Sequence, residues 1–171
     1  GRDDLCASIA TGLEAGRLGA MGWQRPPPPI PAKQPAAGEI ALAVCGAHMA
    51  GMPLNGELTA RGGRMIRACR TAPGYRLHAL AGGPPFRPGL VRQAGGAAVT
   101  LEVWALPRER FGDFIGGVPS PMAIGTIELE DGSTVKGFLC EAAGLFGATD
   151  ITSFGGWRAY LDAQAKREAA A

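Results

Sequence analysis

The stretch Glu39–Gly56, EIALAVCGAHMAGMPLNG, decides how the rest of the chain is arranged. Its first part, EIALAVCG, is a short apolar run with a glycine stop, which suits a buried strand better than a helix. That strand delivers the chain into a turn built from Gly46, Ala47, His48 and Met49. Small side chains leave main-chain N–H groups accessible, and a nest of such groups is a ready site for carboxylate or phosphate oxygens. Gly51 and Gly56 permit close backbone approach to a ligand. The alternative at this point is a tight strand-to-helix connection that binds nothing.

His48 is one of two histidines in the chain. Its small neighbours at the strand end leave the imidazole facing a cavity, where a group near its ordinary pKa can donate or accept a proton at neutral pH. The competing role is a hydrogen-bonded structural histidine. His78, on the outward side of an alternating strand, is assigned no role.

Upstream, residues 3–18 place Leu5, Ile9 and Leu13 at intervals of four behind Asp3 and Asp4, the pattern of one amphipathic helix with an N-cap. RPPPPIPAKQPAAG follows, and proline fixes φ and removes a donor, so an extended polyproline-type linker is expected. This divides the chain into residues 1–37, helix and linker, and residues 38–171, the domain proper.

Downstream, ELTARGGRMIRACRTA predicts an irregular helix, with Leu58, Met65 and Ile66 apolar, Arg61, Arg64, Arg67 and Arg70 charged, and Gly62 and Gly63 interrupting it. GYRLHAL, GLVRQ and AAVTLEVWAL predict strands, and AIGTIELEDGSTVKGFLCE predicts a hairpin turning at Asp131-Gly132, residues that tolerate positive φ. PRERFGDFIGGV predicts a short helix with Phe111, Phe114 and Ile115 inward, and GGWRAYLDAQAKREAA a terminal one. The expected fold is α+β: a small mixed, mostly antiparallel β-barrel with flanking helices.

A length of 171 residues with 46% apolar and 19% charged residues fits one globular domain. The net charge of +2 forms no basic stripe, which argues against a nucleic-acid partner. Four dispersed cysteines, without a CxxC pair or Cys/His cluster, argue against a disulfide scaffold or a structural zinc, and fit a reducing compartment. No apolar run reaches the roughly 20 residues of a membrane span, and the N-terminus lacks the regions of a secretory signal. A cytoplasmic protein is expected. GxSxG, Walker A, HExxH and paired-carboxylate motifs are all missing from the sequence.

Other candidate ligand-binding residues lie further along. Arg70, just before TAPGY, offers a guanidinium fork for a carboxylate. Tyr75 offers a phenolic donor or is a core residue. Lys136 is a candidate to neutralise a second carboxylate, and Glu141 to orient it or His48. The commoner role of both is that of exposed strand charges.

Five strings, GEIALAVCGAHMAGMPLNGELTARG, RTAPGYRLHAL, PGLVRQAGGAAVTLEVWALP, AIGTIELEDGSTVKGFLCE and ATDITSFGGWRAYL, closely resemble the C-terminal domain of allophanate hydrolase over residues 38–161. The resemblance implies a fold like that of gamma-glutamyl cyclotransferases, whose glycine-containing loop receives the ligand's carboxylate; here that loop is Cys45–Met49. The cyclotransferases' catalytic glutamate has no counterpart, since EVWALPRERFGDFI continues as GGVPSPMAIG.

In allophanate hydrolases an amidase domain splits allophanate, and the C-terminal domain is thought to decarboxylate the resulting N-carboxycarbamate. The family's histidine for this step matches His48. The expected roles are then His48 as proton donor, the Gly46, Ala47 and Met49 amides with Arg70 as carboxylate holders, and Asn55 and Lys136 as pocket trim. A small dicarboxylate substrate, no metal or organic cofactor, and an amidase domain or subunit as partner are expected; a homo-oligomer is compatible with this. The chain lacks the amidase's serine- and glycine-rich signature, which makes it a fragment or a separately encoded relative. The rival expectation is a non-catalytic module that holds an amidase or partner subunits together.

Overall fold

The computed structural model describes residues 34–170. The helix expected over residues 3–18 and most of the proline-rich segment lie outside the described residues. Along the chain come β1 (Glu39–Val44), α1 (Asn55–Thr59), β2 (Arg64–Arg70), β3 (Tyr75–Ala79), β4 (Pro88–Arg92), β5 (Thr100–Pro107), α2 (Arg108–Gly116), β6 (Met122–Glu128), β7 (Thr134–Cys140), β8 (Thr149–Asp150) and α3 (Trp157–Ala169). The α+β class expected from the sequence is what the chain adopts.

The strands form two sheets, one ordered β2-β5-β1-β7-β6 and one ordered β4-β3-β8. β1 is central because it is the most apolar strand: its last three residues, Leu42, Ala43 and Val44, are buried. It pairs antiparallel with β5 over its whole length and parallel with β7 through Leu42 and Ala43. Both sheets contribute to one core, in which Leu42, Leu77, Leu90, Leu101 and Leu106 are fully buried. A Cβ on Gly89 of β4 would meet the Cys140 Cβ of β7 at 2.8 Å, so a glycine is what lets these strands pack so closely.

The hairpin forms as expected: β6 and β7 pair from Met122↔Cys140 to Glu128↔Thr134 around Asp131-Gly132, with Gly132 at φ +79°. Two expectations are corrected. The sheet does not close into a barrel; β2 and β6 stay edge strands, meeting only at an isolated bridge between Thr71 and Leu129 beyond their ends. The second correction concerns residues 57–72, expected as one irregular helix. Only α1, a little over one turn, is helical, and Arg64–Arg70 is strand β2. The Gly62-Gly63 pair ends the helix: Gly62 has φ +77°, and Gly63 donates its N–H back to Leu58 O at 2.8 Å. Of the arginines expected in that helix, Arg64, Arg67 and Arg70 are β2 residues, with Arg64 on Glu39 at 2.6 Å and Arg67 on Asp131 at 2.7 Å, while Arg61 lies in the turn after α1.

Gly137 in β7 tests the packing at the sheet centre. An added Cβ would meet Ala43 O at 2.8 Å and Ala43 Cβ at 2.9 Å, atoms fixed by the β1 ladder. Gly137→Ala is expected to destabilise by about 1–3 kcal/mol, as overpacking typically does. Gly125→Ala, which would press only on the flexible end of Leu139, is expected to cost less. Thermal denaturation of the two variants checks the order.

Candidate functional site

Where β1 ends, Cys45, Gly46 and Ala47 continue buried and His48 emerges on the wall of a cavity of about 110 Å³. The turn is closed by Met49 N–H donating to Gly46 O at 2.9 Å and Leu54 N–H to Ala47 O at 2.8 Å. Gly46 is required by a close approach: a Cβ there would overlap the ring of Pro88, the first residue of β4. Cys45, whose thiol burial pushes up to about 12, is a neutral wall residue at physiological pH.

The amides of Gly46, Ala47 and His48 have no acceptor among the described residues, and all three residues line the cavity. The Met49 amide, expected to join them, is already used in closing the turn. Asn55 does not face the cavity's contents; its Nδ2 donates to His48 O at 2.9 Å and braces the turn from behind.

His48 sits in an aromatic slot, stacked on Phe138 of β7 at 5.0 Å between centroids and edge-on to Phe114 of α2 at 5.4 Å. Its side chain is 14% exposed, and Nε2 lies 3.0 Å from Oε2 of Glu57 in α1. The Glu57 carboxylate favours the tautomer with the proton on Nε2, which leaves Nδ1 as the ring's free position. Burial holds the His48 pKa below its ordinary value of 6.5; the Glu57 hydrogen bond and charge oppose that, and Arg87 adds to it.

Arg87 is the cationic group that sequence reasoning missed. It lies in GGPPFRPG, immediately before β4, and lines the cavity with His48 and Glu57. Among the described residues no carboxylate or other acceptor takes a hydrogen bond from its guanidinium. Glu57 was missed as well, because ELTARGG read only as helix. Nothing local marks either residue, since the approach of β4 to the Gly46 turn brings Arg87 in from 39 positions beyond His48.

The structure takes the remaining candidates elsewhere. Arg70, at the far end of β2, is exposed and donates to Ala98 O at 2.8 Å. Tyr75 is 1% exposed in the core, its hydroxyl accepting from Glu128 N–H at 2.9 Å. Lys136 is an exposed strand residue bonded to Thr126 Oγ1 at 3.0 Å. Glu141, also exposed, accepts a long 3.4 Å bond from Ser120. None of the four lines the cavity around His48. Lys136, in β7, and Glu141, just beyond it, are both exposed, the commoner role for such charges.

Unpaired amides, an uncommitted guanidinium and a shielded imidazole on one small cavity suit a compact anion, and an α+β domain of two sheets carries them. The sequence profile of the allophanate hydrolase C-terminal domain matches residues 40–162. The chain therefore belongs to the family of allophanate hydrolase C-terminal domains.

Its relatives agree. It is 42% identical over 134 residues to the urea amidolyase of Saccharomyces cerevisiae, covering 75% of this chain and 7% of that protein. The solved structure of Kluyveromyces lactis allophanate hydrolase shares 42% identity at a TM-score of 0.69, over 72% of this chain and 21% of that one. A uropathogenic E. coli-specific protein shares 38% identity at a TM-score of 0.68, over 72% of this chain and 96% of that one. The chain thus spans about 7% of the length of the urea amidolyases it matches.

Replacing Glu57 by Gln removes the interaction that supports the imidazolium, so the His48 pKa is expected to fall further below 6.5. An NMR pH titration of the His48 Cε1–H resonance checks the sign. The same depression makes stability pH-dependent. Because the folded pKa lies below the unfolded one, the unfolded chain binds the proton first as pH falls. The contribution is complete above the unfolded value and is lost as pH drops through the folded one.

Proposed function

We propose that this domain binds a small dicarboxylate, N-carboxycarbamate, and promotes its decarboxylation, with His48 as the proton donor. The observation that carries the reading is the convergence of His48, Arg87 and the unpaired Gly46, Ala47 and His48 amides on one cavity. One carboxylate lies against the amides, where backbone donors replace its water shell. The Arg87 guanidinium neutralises negative charge without an internal acid competing for it.

The wall of Phe114, Phe138, Val118 and Met122 is apolar, and stripping hydration from a carboxylate favours its loss as neutral CO₂. The C–N bond to the departing carboxylate breaks, and its electron pair passes to nitrogen. Nitrogen takes the proton from His48 Nδ1, leaving carbamate and a neutral imidazole held by Glu57. Solvent then returns a proton to His48. In the free protein the depressed pKa keeps the ring mostly neutral at pH 7. A bound dianion favours the charged ring, so substrate entry draws in the proton that the step consumes.

Calorimetry with malonate, a stable mimic of the dicarboxylate, tests this. Saturable binding is expected with net proton uptake, seen as a dependence of the observed enthalpy on buffer ionisation, and with affinity falling as pH rises above neutrality. Arg87→Met and His48→Ala are each expected to weaken binding tenfold or more, about 1.4 kcal/mol. Wild-type protein that binds no malonate at millimolar concentration would remove the dicarboxylate reading.

One observation favours the assembly role beside this one. Phe86 and Phe146 are 62% and 94% exposed and both stand beside the Leu80–Gly82 segment, an apolar surface suited to contact with another protein.

A further inference from the structure

The loop that carries His48 has few ties to the rest of the domain. Its own backbone bonds, Met49 to Gly46, Met52 to Met49 and Leu54 to Ala47, are internal to it. Besides its bonds to Asn55 and Glu57 of α1 and the packing of Gly46, His48 and Met49, its hydrogen bonds to the rest of the described domain run through one residue, Ala50. The Ala50 N–H donates to Glu102 Oε2 at 2.8 Å, and the Ala50 C=O accepts from Arg158 Nη2 at 2.6 Å. Those two side chains also hold each other, Arg158 Nη2 donating to Glu102 Oε1 at 2.8 Å.

Glu102 comes from β5, where it stands opposite Val44 at the end of β1, and Arg158 from the first turn of α3. Glu102 is 7% exposed, and Trp104 Nε1 donates to the same Oε2 at 3.0 Å, so both of its oxygens are engaged. Neither Glu102 nor Arg158 lines the His48 cavity. Burying a carboxylate is costly even when it is paired, and an apolar pair would hold a core at least as well. What an apolar pair could not do is grip the backbone N–H and C=O of one residue, and so two successive peptide units, at once.

We propose that the Glu102–Arg158 pair is a positioning device for the anion site. It clamps the Ala50 backbone from both sides and thereby sets where the Gly46–His48 amides and the imidazole stand. Glu102 and Arg158 touch no ligand; they act through the loop. The role at the site rests on the carboxylate-binding reading above, whereas the clamp itself is a property of the free protein. It also makes α3, which lies outside the cavity, part of the machinery of the site.

Arg158→Met is the informative variant, because the Arg158 side chain is 43% exposed and its loss leaves Glu102 bonded to Ala50 and Trp104. Amide hydrogen exchange in the ligand-free variant is expected to speed up tenfold or more at Met49, Ala50 and Met52, the hydrogen-bonded amides of the loop, with β5 and β7 unchanged. The malonate dissociation constant is expected to rise about fivefold or more, and Arg158→Lys to restore part of both losses. Glu102→Gln, which keeps an acceptor for Ala50 but loses the charge, is expected to give intermediate exchange. Wild-type exchange rates at Met49, Ala50 and Met52 of both Arg158→Met and Glu102→Gln would overturn the clamp. Faster exchange with unchanged malonate affinity would overturn its role at the site. Should wild type bind no malonate, the carboxylate reading fails, and exchange still decides the clamp.

Discussion

The close approach of β4 to the end of β1 is the constraint on which the site depends. Gly46 lies against the Pro88 ring with no room for a side chain. β1 is locked at the sheet centre by β5 on one side and β7 on the other, so its end is a fixed point. β4 belongs to the other sheet, and its arrival at Gly46 brings Arg87, the residue preceding Pro88, to the cavity. A histidine from one sheet's loop and an arginine from the other's edge share a pocket because one glycine lets their backbones nearly touch.

That constraint also explains what could and could not be learned from sequence. β1, the Gly46 turn and His48 were legible because the apolar run, the glycine stop and the histidine lie within ten residues of one another. The Asp131-Gly132 hairpin was legible for the same reason: its signal is local and its turn chemistry specific. Arg70 stands out in the sequence because it ends a segment expected to be helical. Once Gly62 and Gly63 turn that segment into β2, Arg70 is carried to the far end of an edge strand. Glu57 was hidden differently, since a glutamate on a short helix is ordinarily solvated, and only the three-dimensional turn brings its carboxylate to Nε2.

The barrel expectation fails for a topological reason. Closing a sheet requires its two edge strands to pair along their length. Here β3 departs from β2 at the Thr71–Gly74 turn to build a second sheet with β4 and β8, so β2 and β6 are left joined at Thr71 and Leu129 alone. The departure is not incidental to the site. It puts β3 and β4 in a sheet with β8, and from that sheet β4 brings Pro88 against Gly46 and Arg87 to the cavity.

The environment of His48 balances two opposed effects. Phe114 and Phe138 remove water from the ring and favour its neutral form, while Glu57 favours the charged one. With burial dominant, the ring can stand near Arg87 without a second cation fully formed beside it, and Arg87 itself pushes the same way. In the proposed complex a bound dicarboxylate opposes that balance, because its charge compensates Arg87 and stabilises imidazolium together. On the proposed reading, the site is least charged when empty and takes on positive charge as the dicarboxylate enters. A permanently protonated histidine would offer stronger attraction to any passing anion, but its proton would already be stabilised in the resting protein and less readily given up. Burial lowers that resting stabilisation, and on the proposed reading the substrate supplies it where the proton is used.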